Sequence, residues 1–132
     1  MIGLNRAREM MLTNRKVAAA EALPYATRAV ERQPDSAPYL YTLGEAYEKL
    51  GRADEAIRSY KEAARLDPRY VPPLVNLGRI YDDGGLYDEA LGYLSRAVGI
   101  APENFEVNNN LGNVYLHKSL YPDAVLKEII RK

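Results

Sequence analysis

Residues 40–68 read LYTLGEAYEKLGRADEAIRSYKEAARLDP, and residues 74–102 read LVNLGRIYDDGGLYDEALGYLSRAVGIAP. The second stretch repeats the pattern of the first, with Leu74 in the place of Leu40. Gly44, Gly78 and Gly112 mark an even period, because each follows a Leu and each is followed three positions later by a Tyr. A fixed period of this length indicates one supersecondary unit that is copied and stacked. The sequence therefore predicts a function on a repeated surface rather than in one catalytic pocket.

Two helical stripes make up each unit. Leu40, Leu43, Gly44 and Tyr47 stand at i, i+3, i+4 and i+7, which is one face of an α-helix. A glycine inside that face costs about 1 kcal/mol of helix propensity and predicts close approach of a second helix. The second helix carries its own stripe: Ala56, Ile57, Tyr60, Ala63 and Ala64. We expect the tyrosines that recur with the period to be core residues: Tyr47, Tyr60, Tyr81 and Tyr115.

Turn residues separate the stripes. Gly51, Gly85 and Ser119 lie between paired helices, where we expect a helix to end and the chain to reverse. Pro68 and Pro102 follow the second helix of their units and close it. The repeated unit is therefore predicted to be a helical hairpin.

The order Leu-x-x-Leu-Gly-x-x-Tyr, then Ala-x-x-x-Tyr/Leu, then Pro resembles the tetratricopeptide repeat family, with Leu in place of the Trp of its template. The resemblance implies an all-α fold, a right-handed superhelical array of antiparallel helix hairpins, in one domain over residues 1–132. We expect a divergent repeat at 1–36, repeats at 37–70 and 71–104, and a partial or capping repeat at 105–132.

Both ends depart from the repeated pattern. Ala22, Ala29 and Pro34 fit their columns, which predicts a second helix at 18–33 with Pro24 near its first turn. Other residue types occupy the columns of the expected first helix, roughly 3–14: Arg6, Glu9, Met10 and Thr13. The register of residues 1–17 therefore stays open. At the other end polar residues replace apolar or small ones: Asn108, Glu128 and Arg131. That pattern fits a polar terminal cap, and it equally fits a piece of a longer array.

The composition excludes several classes of partner. Eighteen basic and eighteen acidic residues give a formal net charge of zero, so no overall field attracts nucleic acid or an anionic membrane. The chain has no cysteine, and therefore no disulfide and no thiolate chemistry. No apolar stretch approaches the roughly 18 residues that a membrane span needs. If Met1 is the native start, we expect a cytoplasmic protein.

Catalytic and metal-binding patterns are also missing. His117 is the only histidine, and no second imidazole or thiol could share a metal with it. The run Asp82-Asp83-Gly84-Gly85 lacks the alternating carboxylates and the closing Glu of a calcium loop. We therefore expect no enzyme activity, no metal and no cofactor.

A polar face lies opposite the packed stripe of each first helix. At about 100° per residue this face carries three parallel rows of side chains: Thr42, Glu45 and Lys49; Asn76, Arg79 and Asp83; Asn110, Asn113 and His117. Its flanks carry Tyr41, Val75 and Asn109. Because the first helix of each tetratricopeptide unit lines the concave surface, the resemblance implies that these residues line a groove for an extended peptide.

Asparagine recurs in this face immediately before Leu-Gly, at Asn76 and Asn110, with Thr42 in the same row. An Asn amide can pair with both the N–H and the C=O of an extended backbone. The row is similar to the asparagine ladder of the superhelical repeats in O-linked N-acetylglucosamine transferases, and it equally fits asparagine tolerated on an exposed helix. Tyr41 and Glu106 stand where basic residues would clamp a chaperone's C-terminal carboxylate, so that ligand is not expected.

The sequence thus predicts a protein-interaction module or scaffold that binds an extended peptide or a partner helix in a concave groove. Two alternatives stay open. The chain could be a structural scaffold that assembles into a homo-oligomer through its terminal helices, or it could be the substrate-recruiting part of a larger enzyme.

Overall fold

The computed structural model describes residues 3–120 and 129–131, which are mostly helical and contain no β-strand. Within residues 3–120 six helices follow one another: α1 (Gly3–Arg32), α2 (Ala37–Lys49), α3 (Ala53–Leu66), α4 (Val71–Asp83), α5 (Tyr87–Ile100) and α6 (Phe105–Leu120). The fold is an all-α array of helix hairpins, as predicted.

The helices form two compact units, Met1–Pro68 and Arg69–Lys132. In the first unit, α2 packs against both α1 and α3. In the second unit, α4 and α5 form a hairpin, and α6 packs against both of them. A core cluster around Leu94 and Val114, both fully buried, holds the three helices of the second unit together.

The repeat glycines allow close packing within each complete hairpin. A Cβ placed on Gly44 would lie 2.5 Å from Cε1 of Tyr60, and a Cβ placed on Gly78 would lie 2.5 Å from Cγ of Leu94. Tyr60 and Leu94 are both fully buried. Helix α2 therefore approaches α3, and α4 approaches α5, more closely than a residue with a side chain would permit.

The third copy of the pattern differs. Among the described residues nothing lies within 4 Å of a Cβ built on Gly112. Tyr115 is 57% exposed, so its predicted place in a core is wrong. The second helix of this repeat would fall on residues 121–128, and its expected packing positions, Ala124 and Glu128, lie outside the described residues. Ser119 is the penultimate residue of α6 and does not interrupt the helix.

Identical turns join the helices of the two hairpins. Gly51 and Gly85 both adopt φ 78°, the left-handed conformation that glycine adopts without steric cost. The residue after each glycine donates its N–H to the carbonyl five positions earlier, from Arg52 to Tyr47 at 2.9 Å and from Leu86 to Tyr81 at 2.8 Å. This is the Schellman motif, which satisfies carbonyls at a helix C-terminus.

Replacing Gly85 with alanine should therefore lower the free energy of unfolding by about 1–2 kcal/mol, because a Cβ disfavours the left-handed conformation. The same change at Gly51 should cost a similar amount, since the two turns share one φ value. Chemical denaturation followed by circular dichroism measures both effects. Equal or higher stability of both variants would contradict the strain that we assign to the turns.

Helix α1 corrects one prediction. The separate helices expected at 3–14 and 18–33 form a single helix, Gly3–Arg32, that contains Pro24 in its interior. The physical reason lies at Val17, because the repeat alignment places it in the column of Gly51 and Gly85. A β-branched residue in the left-handed conformation is strained, so the turn that closes the other hairpins is disfavoured here. The chain continues as helix instead.

Within residues 3–120 and 129–131, no helix combines the length and the apolar character that crossing a membrane requires.

Candidate functional site

The second unit brings two of the three predicted rows onto neighbouring helices. Asn76, Arg79 and Asp83 lie on α4, whereas Asn110 and Asn113 lie on α6, which packs directly against α4. These side chains are half-buried or exposed, whereas Leu77 on α4 and Val114 on α6 are fully buried. The two rows therefore flank the packed stripes of adjacent helices. We call this surface, which consists of the exposed or half-buried members of the two rows, the α4–α6 polar face.

A contact between side chains far apart in sequence fixes how α6 lies on α4. His117 Nδ1 is 2.9 Å from both carboxylate oxygens of Asp82. The Asp82 side chain is only 8% exposed, and the ring of Tyr87 lies 6.2 Å from the imidazole. Asp82 and His117 both lie near the C-terminal ends of their helices, so the contact joins these two ends.

Most members of the two polar rows precede this contact along their helices. Arg79 and Asn76 precede Asp82 by three and six positions, and Asn113 and Asn110 precede His117 by four and seven. Arg79, Asn113 and Asn110 have spacings that place them on the same helix face as the contact residue of their own helix. Asn76, six positions before Asp82, lies about 120° around α4 from it.

Further polar contacts hold α6 in position. The Nζ of Lys118 lies 2.7 Å from Oδ1 of Asp88 on α5. At the other end Oδ1 of Asn104 accepts the N–H of Val107 at 3.0 Å, which caps the first turn of α6. Asn108 donates to the carbonyls of Pro102 and Asn104. The asparagine at 108 thus has a local structural role at the start of the helix.

Charged groups at the C-terminal end of α4 lie close together. Nη1 of Arg79 is 3.9 Å from Oδ2 of Asp83, at the long limit of an ion pair, and the Asp83 side chain is 70% exposed. An exposed pair at this distance contributes little to stability. This ion pair therefore presents little energetic obstacle to a charged ligand that contacts either side chain.

One of the residues predicted to flank the groove, Val75, is a packing residue instead. Val75 is 3% exposed and belongs to the buried side of α4, so its assignment to a ligand-binding surface is wrong. Tyr41 is half-buried, and its ring centroid lies 5.6 Å from that of Tyr60. Asn109 is exposed on α6.

The predicted row of the first unit lines a groove between α1 and α2. Thr42, Glu45 and Lys49 on α2 face small side chains of α1 across a cavity of about 590 Å³. The α1 wall consists of Arg15, Ala18, Ala19, Ala22 and Ala26. Thr42 donates its hydroxyl to the carbonyl of Pro38 at 3.1 Å, within its own helix.

Sequence reasoning missed Asp82, the buried partner of His117. A signal was available, because Asp82 stands one repeat period after Glu48, and Glu48 also has a partner, the hydroxyl of Tyr60 at 2.8 Å. This position of the repeat therefore holds a carboxylate with a side-chain partner in both hairpins. Among the described residues, no group of three His, Asp or Glu side chains has an arrangement that could hold a metal ion.

Family models agree with the repeat pattern. Models described as tetratricopeptide repeat match residues 37–70 and residues 75–131. Comparison with curated proteins gives no match.

Solved structures show the same fold. The crystal structure of MamA protein is similar with a TM-score of 0.71 and 26% identity, over 83% of this chain and 59% of that chain. This chain thus spans about three fifths of the length of MamA. The second TPR domain of human RPAP3, solved in complex with an HSP70 peptide, has a TM-score of 0.67 and 19% identity, over 79% of this chain and 92% of that chain. The Sgt2 TPR domain from Aspergillus fumigatus has a TM-score of 0.67 and 17% identity, over 83% and 81% of the two chains.

The helix hairpins, the close packing at their glycines and both family matches agree on one repeated unit. This fold is generally one for protein interaction rather than for catalysis, and the chain is a protein-interaction module. It belongs to the tetratricopeptide repeat family.

Proposed function

We propose that this chain binds an extended peptide segment of a partner protein along the α4–α6 polar face. The observation that carries the proposal is the direct packing of α6 on α4, fixed by the contact between His117 and Asp82. Because of this packing, polar side chains from two successive repeats lie on adjacent helices within one compact unit.

The chemistry of the surface suits a main-chain ligand. Asn76, Asn110 and Asn113 each carry an amide that offers donors and an acceptor to the N–H and C=O groups of an extended backbone. Such contacts hold a peptide without selecting its side chains. Selection would come from the charges of Arg79 and Asp83, which lie on the same face of α4.

The relatives support a ligand of this kind in general terms. The RPAP3 domain was solved with a bound peptide, and it shares the fold of this chain. The identity between the two sequences is 19%, so the likeness concerns architecture and not the choice of ligand. The proposed ligand is accordingly a class of peptide, an extended segment bound through its backbone.

Removing the asparagine amides should weaken binding without unfolding the protein. Short peptides are first selected from a displayed random library against the wild-type chain, and their Kd is measured by isothermal titration calorimetry. We expect the variant Asn110→Ala/Asn113→Ala to lose roughly 1 kcal/mol for each missing hydrogen bond, about a fivefold increase in Kd per bond.

The matched control is Ser95→Ala, which removes an exposed polar group from α5 instead. It should bind the selected peptides with unchanged Kd. If the double variant keeps both its helicity and the wild-type affinity, the peptide does not use this face and the proposal fails.

A further inference from the structure

The first unit contains a groove and, in the same chain, an exposed helical segment. Every residue from 3 to 18 is exposed, and five large apolar side chains in this segment are each more than half exposed: Leu4, Met10, Met11, Leu12 and Val17. We call residues 3–17 the arm. Beside it, α1 and α2 enclose the cavity of about 590 Å³ with its wall of alanines.

The second unit shows what such a groove holds. Two repeat periods separate corresponding positions of the two units. Residues 18–32 of α1 correspond in this way to residues 86–100, which contain α5. Helix α2 corresponds to residues 105–117 of α6. Residues 3–15 of the arm correspond to 71–83, which are helix α4. In the second unit α4 packs against both α5 and α6. The groove of the first unit therefore occupies the place where the arm's counterpart lies in the second.

Burial of the repeated alanines agrees with an uncovered groove. Ala56 and Ala90 are fully buried, because the first helix of their own hairpin covers them. Ala22 occupies the same column, lines the groove and is exposed. Ala56 and Ala90 show that another helix covers this position of the repeat in the complete hairpins.

In residues 1–36 the large and the small residue of the facing pair are exchanged. In the complete hairpin of the first unit Gly44 faces Tyr60. One repeat period earlier, Met10 of the arm stands in the position of Gly44, and Ala26 in the groove stands in the position of Tyr60. Met10 is 59% exposed, and Ala26 forms part of the groove wall. A large residue on the arm thus complements a small one in the groove, which reverses the arrangement of the complete hairpins.

We propose that the arm of one copy of this chain fills the groove of a second copy. Apart from Arg15, which lines the groove, the arm cannot reach the groove of its own chain while α1 is a continuous helix, and Val17 disfavours the left-handed turn that would fold it back. Two copies can exchange arms reciprocally about a twofold axis, which is a domain swap. This inference does not depend on peptide binding to the α4–α6 polar face, because the arm and the groove both belong to the first unit.

The chain has no cysteine, so engineered thiols report the contact without background. Met10→Cys and Ala22→Cys are placed in separate chains, one with a size tag, and the chains are unfolded together, refolded and oxidised. The arm exchange predicts a disulfide-linked heterodimer. The matched control replaces Ala22→Cys with Ala20→Cys, an exposed alanine on α1 that does not line the groove, and it should link at least tenfold less.

Light scattering provides the second readout. We expect the wild-type chain to form a dimer whose population rises with concentration, and Ala22→Arg to remove it by filling the groove. Ala20→Arg should dimerise like the wild type. Val17→Gly should shift the population toward monomer, because it supplies the turn residue that lets the arm fold back onto its own chain.

Three outcomes would overturn the exchange. One is a wild-type chain that stays monomeric at every concentration tested. Another is equal cross-linking of Met10→Cys with Ala22→Cys and with Ala20→Cys. The third is a monomeric Met10→Cys/Ala22→Cys double variant that links within one chain in the otherwise wild-type sequence, which would show that the arm occupies its own groove.

Discussion

Replacement of Tyr60 with alanine is expected to lower the free energy of unfolding by about 3–5 kcal/mol, the cost typical of removing a buried aromatic side chain. The Tyr60 ring is fully buried and fills the space above Gly44. It also lies 5.6 Å from the ring of Tyr41, and its hydroxyl donates to Oε1 of Glu48 at 2.8 Å. Close packing, a ring contact and a hydrogen bond therefore all join α3 to α2 through this one residue. Chemical denaturation followed by circular dichroism measures the loss.

Tyr60→Phe separates the ring from the hydroxyl. This variant keeps the packing against Gly44 and loses the hydroxyl with its hydrogen bond to Glu48, so it should cost about 1 kcal/mol. A phenylalanine variant as unstable as the alanine variant would show that the hydroxyl, not the ring, is the main contribution of this residue.

The second large effect is expected at Gly78. Gly78→Ala should lower the free energy of unfolding by about 1–3 kcal/mol, the usual cost of overpacking. The new Cβ would meet Cγ, Cδ2 and Cδ1 of Leu94 at 2.5, 2.8 and 2.9 Å. Leu94 is fully buried and cannot move aside without disturbing the core cluster of the second unit.

Two controls make the Gly78 result specific. Gly92→Ala changes a glycine in the middle of α5 with nothing within 4 Å of its Cβ among the described residues, so it should stabilise by up to about 1 kcal/mol through helix propensity alone. In a Leu94→Ala background the penalty of Gly78→Ala should largely disappear, because the clash has no partner. If Gly78→Ala stabilises as Gly92→Ala does, the glycine is not a packing device.

Repetition predicts close helix packing at the repeat glycines, because Gly44 and Gly78 recur with the period inside a helical stripe. The residue that faces each glycine, Tyr60 or Leu94, is seen only in the structure. Periodicity reports packing well because every copy must bury the same face. Gly112 follows the pattern in sequence, yet nothing described lies near it, since the expected facing position is Glu128.

The first segment shows where periodicity fails. Ala22, Ala29 and Pro34 predicted a separate second helix at 18–33, but one residue decides whether the chain turns before it. The column of Gly51 and Gly85 holds Val17, and the backbone continues as a helix. A match of packing columns therefore does not predict a turn unless the residue with positive φ is present as well.

The candidate site was predictable only in outline. A helical wheel placed Asn76 and Asn110 on the polar side of their helices, and the half-buried state of both agrees with it. It put Val75 on the same surface, although Val75 is buried, because a wheel describes one helix and not its neighbours. Asp82 and His117 stand in different columns of the repeat, so the alignment does not report their contact.

Chemical-shift mapping by nuclear magnetic resonance, with a peptide selected from the library, tests peptide binding on the α4–α6 polar face most directly. We expect the largest changes at the backbone and side-chain amides of Asn76, Asn110 and Asn113 and at the backbone amide of Arg79, with α5 little affected. Changes confined to α5 or to the first unit, with α4 and α6 unperturbed, would contradict our account of what this chain binds and where.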